Sequence, residues 1–142
     1  FATHGSPQMK VTVLTTLFNK GSYVQEAVQS VLSSTFTDFE LLVVDDGSTD
    51  GGPEVVKSLD DPRIRILEST VNTGRAATAN RGFDHARGEY VVVLDADDIM
   101  HPERLTKQVT FMDAHPEVGI SGTAYQVLGQ EGRTGNWPTT DA

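Results

Sequence analysis

Three carboxylates lie within four residues at positions 95–98, where the sequence reads Asp-Ala-Asp-Asp directly after the apolar run at 91–94. Acids so closely spaced repel one another unless a cation lies among them. Ligands that offer only oxygen suit a hard divalent ion such as Mg²⁺ or Mn²⁺. Because alternate residues of an extended segment point the same way, Asp95 and Asp97 could address one ligand. The segment therefore predicts a cation site, with acids that cap a helix or face water as the alternative.

Two further segments carry groups that could bind a nucleotide. Residues 45–50 read Asp-Asp-Gly-Ser-Thr-Asp, in which Gly47 permits a tight turn and the acids could accept hydrogen bonds from a base or a ribose. Residues 72–75 read Asn-Thr-Gly-Arg before a predicted helix, whose first amides favour an anion, and Arg75 could meet a phosphate or a base edge. The alternatives are a polar turn for the first segment and a capped helix with an exposed arginine for the second.

A fourth segment at 15–19 adds hydroxyls and the aromatic ring of Phe18, which could stack on a base or belong to the core. Apolar, β-branched runs predict the strands that would carry these segments, at residues 11–17, 39–44, 64–67, 90–94 and 118–128. The run at 90–94 is nearly all valine and leucine, which is typical of a central parallel strand covered on both faces.

Helical spacing between these runs predicts four helices, beginning near residues 22, 52, 74 and 102. Ser22 and Gln25 form a capping box for the first helix, and Gly88 is expected to end the third. The fourth is expected to start at Pro102 and run to about residue 114. This alternation predicts an α/β fold, an open, mostly parallel twisted sheet with helices on both faces. Such a sheet binds its ligands at the carboxyl ends of its strands, which is where all four segments lie.

Composition limits the classes of partner. The chain has 142 residues, 20 acidic against 11 basic side chains, a formal net charge of -9 and no cysteine. The absence of a basic stripe argues against nucleic acid, although a metal ion could still bring a phosphate ligand to an acidic surface. A sequence without cysteine excludes thiolate chemistry and fits a reducing compartment. No apolar run could span a bilayer, so we expect a cytoplasmic location that includes the inner face of the membrane.

Together these segments resemble the inverting family 2 glycosyltransferases with the GT-A fold, over about residues 11–140. The matching pieces keep the family's order and spacing: Leu-Phe-Asn at 17–19, the acidic turn at 45–50, Asn-Thr-Gly at 72–74, and the acids at 95–98 followed by Pro102. Phe18 departs from the more usual tyrosine, so the stacking face is kept and a hydroxyl is lost. The resemblance implies that Thr16, Phe18 and Asp46 line the nucleobase pocket. It implies that Arg75 lies near the base or the diphosphate.

The resemblance also implies that Asp95 reaches the ribose or the metal and that Asp97 holds Mg²⁺ or Mn²⁺. In this family the carboxylate that deprotonates the acceptor hydroxyl lies well beyond the metal motif, so the catalytic base is expected outside this chain. The donor is expected to be a nucleotide-diphospho-sugar, with UDP first and GDP and dTDP open. The acceptor is expected to be a carbohydrate or a lipid-linked molecule.

The resemblance divides the chain into three parts. Residues 1–8 show no periodicity and precede Met9, so we interpret them as an expression scar outside the fold. Residues 9–128 are expected to form the nucleotide-sugar-binding GT-A domain. Residues 129–142 would be a tail that leads towards an absent acceptor-binding part. We therefore expect a chain that binds the donor but transfers sugar poorly or not at all.

Rival classes match fewer of these features. A haloacid-dehalogenase-type phosphatase also carries Asp-x-Asp after a strand, but on its first strand rather than its fourth. A response-regulator-like signalling domain needs its acidic pair after the first strand, and a dinucleotide-binding domain needs a glycine-rich turn there. A non-catalytic module that binds a nucleotide-sugar stays open as the alternative.

Overall fold

Four parallel strands form the main sheet of the computed structural model, which describes residues 6–129 and 134–135. The central strand β1 (Met9–Leu17) pairs on one side with β2 (Phe39–Asp45) and on the other with β4 (Gly88–Val93). The short β3 (Ile64–Leu67) pairs with the far edge of β2. The four strands begin and end within two residues of the predicted runs, so this part of the prediction is confirmed.

Helices cover both faces of the sheet, as predicted, and they are α1 (Gly21–Leu32), α2 (Gly52–Ser58), α3 (Arg75–His85) and α4 (Arg104–Ala114). The larger core joins β1 and β2 to α1, α2 and α4, which contribute the buried Val24, Val56 and Leu105. A smaller core on the other face contains Leu14 of β1, with Phe83 of α3 packed against it. Because β1 and β2 are covered on both faces, their residues are buried without alternation, and even the polar side chains of Thr12, Thr15 and Glu40 are buried.

The start of α1 differs from the prediction, because Ser22 and Gln25 do not form a capping box. The helix begins at Gly21 after Lys20, and no side chain of its own N-terminus caps it. Instead the Gly21 amide donates to Asp50 Oδ2, 2.8 Å away in the loop after β2. A carboxylate from a neighbouring loop thus satisfies an amide at the start of the helix, in place of the side chains that were expected to do so.

Gly88 has a different role from the predicted one, since it begins β4 rather than ending α3. The helix ends at His85, and Ala86 is already extended. The Gly88 amide donates to Thr12 Oγ1 across 2.9 Å, and a Cβ at this position would lie 2.3 Å from the backbone nitrogen of Thr12. The close approach of two backbones, and not a helix terminus, is what requires glycine here.

Two expectations about strands in the second half of the chain, at residues 90–94 and 118–128, are wrong. Among the described residues β4 is an edge strand, and Val93 is 51% exposed because α3 lies over β1 and β2 instead of β4. The predicted strand at 118–128 is reduced to β5 (Tyr125–Gln126), which pairs antiparallel with β6 (Thr134–Gly135) outside the main sheet. Two glycines in this segment weaken a strand, and Ile120 is largely exposed.

Other expectations concern the ends of the chain or a membrane. Most of the proposed scar at 1–8 and of the tail at 129–142 lies outside the described residues. Gln8, which was assigned to the scar, donates its amide to the carbonyl of Arg87 at 3.0 Å, beside the first pair of β1 and β4. In the part of the chain that the structure describes, no helix has the length and apolar character needed to cross a bilayer.

We predict that Gly88→Ala lowers the free energy of unfolding by about 2 kcal/mol or more, because the added methyl group meets backbone atoms of β1 that cannot move aside. Urea denaturation followed by circular dichroism measures the effect. Gly119→Ala is the matched control, since nothing lies within 4 Å of a Cβ there, and its change should stay within about 0.5 kcal/mol. Equal stability of the two variants would contradict the proposed close approach.

Candidate functional site

One cleft of about 510 Å³ lies at the carboxyl ends of β1, β2 and β4 and contains every residue to which the family resemblance assigned a role in donor or metal binding. Its lining consists of Thr16, Leu17, Phe18, Lys20, Asp46, Asn72, Gly74, Arg75, Thr78, Asp95, Ala96 and Asp97. The four sequence segments are far apart in the chain, and the parallel sheet brings them to one edge. This is the position at which open α/β sheets bind ligands. We call this space the strand-end cleft.

A second cavity of about 790 Å³ lies between β4 and α4 and is larger than the strand-end cleft. Its lining is mainly apolar and includes the exposed Val93 and Ile120, while none of the sequence-predicted site residues reaches it. Binding chemistry depends on convergent polar groups more than on volume, so the strand-end cleft is the better candidate.

The loops after β1 and β2 hold each other in place beside the cleft. The Asn19 amide donates to Ser48 Oγ at 3.1 Å, and Asn19 Oδ1 accepts from the Thr49 amide at 2.9 Å. Asp50 accepts from the amide of Gly21 at 2.8 Å and from that of Gly52 at 3.0 Å, which ties the starts of α1 and α2 together. These reciprocal bonds give the cleft a rigid wall before any ligand binds.

Asp46 is buried and connects β2 to the loop before α3. Its Oδ1 accepts from the amide and the hydroxyl of Thr73, at 2.7 and 3.0 Å, and its Oδ2 accepts from the Gly74 amide at 3.0 Å. Burial acts to raise the pKa of Asp46, but the hydrogen bonds from Thr73, Thr78 and Gly74 outweigh it and lower the pKa below its ordinary value. The carboxylate is therefore ionised and fixed in direction.

Residues 95–98, which we call the acidic loop, follow β4 and carry the carboxylates of Asp95, Asp97 and Asp98. Each carboxylate offers an oxygen atom, and these atoms lie within 4.8 Å of one another. Burial and, secondarily, the charges of Asp95 and Asp97 raise the pKa of Asp98. A set of ligand atoms made only of oxygen, at this spacing and with this excess of negative charge, fits a hard divalent cation such as Mg²⁺ or Mn²⁺.

Two basic side chains from the lining of the cleft contact the acidic loop. Lys20 Nζ lies 3.1 Å from Asp97 Oδ2, and Arg75 Nη2 lies 2.6 Å from Asp95 Oδ1. The sequence pointed to Arg75 but missed Lys20. The available signal was that Lys20 follows the loop after β1, at the same sheet edge as the acids.

Phe18 lies at the mouth of the cleft with 45% of its surface exposed, although it is apolar and adjoins the fully buried Leu17. Of the two roles that the sequence left open, the structure excludes the core. Thr16, near the end of β1, lines the same wall. An exposed aromatic face in a polar cleft is suited to stacking on a planar ligand.

Comparison with known proteins agrees with this architecture. The family model described as "Glycosyl transferase family 2" matches residues 12–138. A curated relative, the glycosyltransferase GlyG of Streptococcus pneumoniae, is 35% identical over 114 residues, which cover 77% of this chain and 38% of GlyG.

Solved structures with the same fold hold nucleotide-sugars. TarS of S. aureus (residues 1–349), in complex with UDP-GlcNAc, is 29% identical with a TM-score of 0.72, covering 76% of this chain and 32% of that chain. The mannosyltransferase PcManGT of Pyrobaculum calidifontis, in complex with GDP-Man and Mn²⁺, is 28% identical with a TM-score of 0.68, covering 78% of this chain and 34% of that chain. This chain spans less than half of the length of GlyG, TarS and PcManGT.

We predict that Asp46→Asn lowers the free energy of unfolding by about 2 kcal/mol at pH 7, because the donors of Thr73 and Gly74 lose a buried, charged acceptor. Since the folded-state pKa of Asp46 is lowered, its contribution is present above the unfolded-state pKa and is lost as pH falls through the folded-state pKa. The stability gap between wild type and variant should therefore narrow below about pH 4.

Urea denaturation from pH 7 down to pH 2.5 measures this gap. Asp84→Asn is the control, because it makes the same chemical change at an exposed position of α3. A gap for Asp46→Asn that stays constant over this pH range would show that the lost interaction is not that of an ionised carboxylate.

Proposed function

The chain belongs to glycosyl transferase family 2, and on that premise we propose that its strand-end cleft binds a nucleotide-diphospho-sugar together with a divalent cation. The proposed reaction is inverting transfer of the sugar to an acceptor hydroxyl. One observation carries the proposal: an exposed aromatic ring, a fixed carboxylate and three clustered carboxylates line or adjoin a single cleft. We assign the aromatic ring to the base and the fixed carboxylate to the ribose or to an edge of the base. We assign the three clustered carboxylates to a metal-bound diphosphate.

For the metal we propose Asp97 as a ligand, with Asp95 reaching either the metal or the ribose. The support is the spacing of the carboxylate oxygens, together with the PcManGT complex, which contains Mn²⁺ as well as GDP-Man. A divalent ion bound there would neutralise the negative charge that the departing nucleoside diphosphate gains. The exposed guanidinium of Arg75 would contribute further positive charge near the diphosphate or the base.

For the nucleobase we propose a pocket formed by Thr16, Phe18 and Asp46, and we place uracil first. Asp46 accepts three hydrogen bonds from Thr73 and Gly74, and Thr78 also donates to it, so little of its acceptor capacity of about four is left for a base. Uracil and thymine each offer one N–H on their pairing edge, whereas guanine offers several in a row. This limited acceptor capacity favours a base with few N–H donors, as in UDP-sugars or dTDP-sugars, and the UDP-GlcNAc complex of TarS is consistent with this order.

For the acceptor step we propose that the base comes from an acceptor-binding part outside residues 9–128. The support is that Asp46 is engaged in hydrogen bonds and the carboxylates of the acidic loop are grouped for a cation. A base must reach the acceptor hydroxyl directly. The proposed acceptor is a carbohydrate or a lipid-linked molecule, and the proposed location is the cytoplasm, including the inner face of the membrane. Efficient transfer by this chain alone would contradict the assignment of the base.

We predict that Mn²⁺ and a UDP-sugar together raise the unfolding temperature, because a ligand that binds only the folded state stabilises it by mass action. The gain is about 2.7 kcal/mol at a ligand concentration one hundred times Kd. Asp97→Ala should abolish this gain, whereas Asp84→Ala, which removes an exposed acid of α3 outside the cleft, should keep it. Thermal unfolding with UDP-, GDP- and dTDP-sugars, each with and without Mn²⁺, makes the measurement.

An assay of sugar transfer and donor hydrolysis beside this series separates the proposed function from its alternative. A non-catalytic module would show donor binding without sugar transfer or donor hydrolysis, even when the rest of the protein is present. If no nucleotide-sugar changes the unfolding temperature of the wild type, the cleft is not a donor site and the proposal fails.

We predict that Phe18→Ala raises the Kd for UDP in the presence of Mn²⁺ about tenfold, because it removes a stacking surface worth about 1–3 kcal/mol per base. Phe18→Tyr should bind as the wild type does, since the ring is kept. Phe111→Ala is the matched control, because Phe111 is 44% exposed on α4 and packs against His115 outside the cleft. Isothermal titration calorimetry gives the constants, and equal losses in Phe18→Ala and Phe111→Ala would contradict the stacking role.

A further inference from the structure

The ammonium group of Lys20 forms an ion pair with Asp97, the carboxylate that is proposed above as a metal ligand. Its Nζ lies 3.1 Å from Asp97 Oδ2, and 45% and 40% of the two side chains are exposed. The neighbouring pair of Arg75 and Asp95 is similar, at 2.6 Å. Both basic residues of the strand-end cleft thus neutralise carboxylates of the acidic loop.

An ammonium group and a divalent cation cannot share one carboxylate oxygen without strong repulsion. A metal that binds Asp97 through Oδ2 must therefore displace Lys20. The displacement is feasible because a partly exposed ion pair is weak and exchanges its partners readily. Tyr23 also lies within reach, with Lys20 Nζ 5.8 Å from its ring centroid, so the released ammonium group does not have to leave the protein surface.

The backbone of Lys20 cannot follow such a movement. Its carbonyl accepts from the amides of Tyr23 and Val24, at 3.0 and 2.9 Å. The residues on either side are fixed as well, Asn19 by Ser48 and Thr49, and Gly21 by Asp50. A change of partner is therefore a rotation of the flexible four-carbon side chain about a fixed point at the mouth of the cleft.

We propose that Lys20 is an exchangeable cation: it pairs with Asp97 when no metal is bound, and it contacts the diphosphate of the donor once a divalent ion occupies the carboxylate. This rests on the proposed function, because it assumes that the cleft takes a nucleoside diphosphate and a metal. It follows that Lys20 weakens the binding of metal when no nucleotide is present. It strengthens the binding of nucleotide when metal is present. Metal and nucleotide then strengthen each other's binding through one side chain, and the coupling is reciprocal.

The test is calorimetric titration of Mn²⁺ alone, and then of UDP at saturating Mn²⁺, into wild type and Lys20→Met. Methionine keeps a flexible apolar side chain and removes the charge. We expect Mn²⁺ alone to bind about threefold more tightly to Lys20→Met, because its competitor is gone, and UDP with Mn²⁺ to bind about fivefold more weakly, because one phosphate contact is lost. Lys20→Arg should restore both constants towards the wild type.

Lys107→Met is the matched control, since it removes the same charge from α4, where Lys107 pairs with Glu103 at 3.7 Å. Neither constant should change in this control. The proposal is overturned if Lys20→Met binds Mn²⁺ alone more weakly than the wild type, or if its two constants fail to move in opposite directions. Failure of the wild type to bind UDP in the presence of Mn²⁺ would overturn the proposed function itself, and with it the proposed contact between Lys20 and the diphosphate. Circular dichroism confirms that each variant is folded.

Discussion

Parallel hydrogen bonding along both edges of β1 determines the position of every group in the strand-end cleft. Leu17 of β1 aligns with Asp45 of β2, and Leu14 aligns with Val93 of β4. β1 and β2 therefore end together, whereas β4 ends opposite Leu14, and the residues that follow each of the three strands enter the same cleft. The ladder continues one step beyond the strands, because the amide of Asp46 donates to the carbonyl of Leu17 at 2.8 Å and that of Leu94 to the carbonyl of Leu14 at 3.0 Å. A change of register in either pair would separate these segments.

Four aspartates at the carboxyl ends of the strands divide into two groups according to what their side-chain oxygens contact. Asp46 and Asp50 accept hydrogen bonds from backbone amides, and so they hold loops in place. Asp95 and Asp97 contact only partly exposed basic side chains in the described interactions. Backbone donors cannot move aside for a ligand, whereas lysine and arginine side chains can. The first group therefore provides the preorganised frame, and the second remains available for exchange with a ligand.

The sequence predicted the sheet and the cleft well because both depend on residue type over short distances. Apolar runs located the strands, and the rule for parallel sheets placed Thr16, Asp46, Arg75 and Asp95 together. The wrong predictions concern contacts between distant segments. For α1, local spacing suggested a capping box. Instead, the amide of Gly21 at the start of the helix donates to the carboxylate of Asp50, which lies about thirty residues further along the chain. Spacing alone could not show this.

The same limit explains the misassigned glycine and the missed lysine. Gly88 is required by the backbone of β1, which is remote in sequence, and its position after a helical run favoured a local explanation. Lys20 belongs to no acidic or glycine-rich motif, and its importance comes from Asp97, which lies far along the chain. Valine content made the run at 90–94 resemble a covered central strand, but the coverage of β4 depends on where α3 packs.

The net charge of -9 poses a problem for the proposed binding of a diphosphate, and the arrangement of charges in the cleft addresses it. While the acidic loop and its basic partners are paired, their charges largely cancel, so the cleft presents little field to an approaching anion. A divalent cation that displaces these partners changes the balance, because it neutralises the carboxylates and leaves two positive side chains unpaired. If the cleft takes the proposed donor, it becomes attractive to phosphate only after the proposed metal has bound. An acidic surface is therefore compatible with an anionic ligand, provided that the cation binds first or together with it.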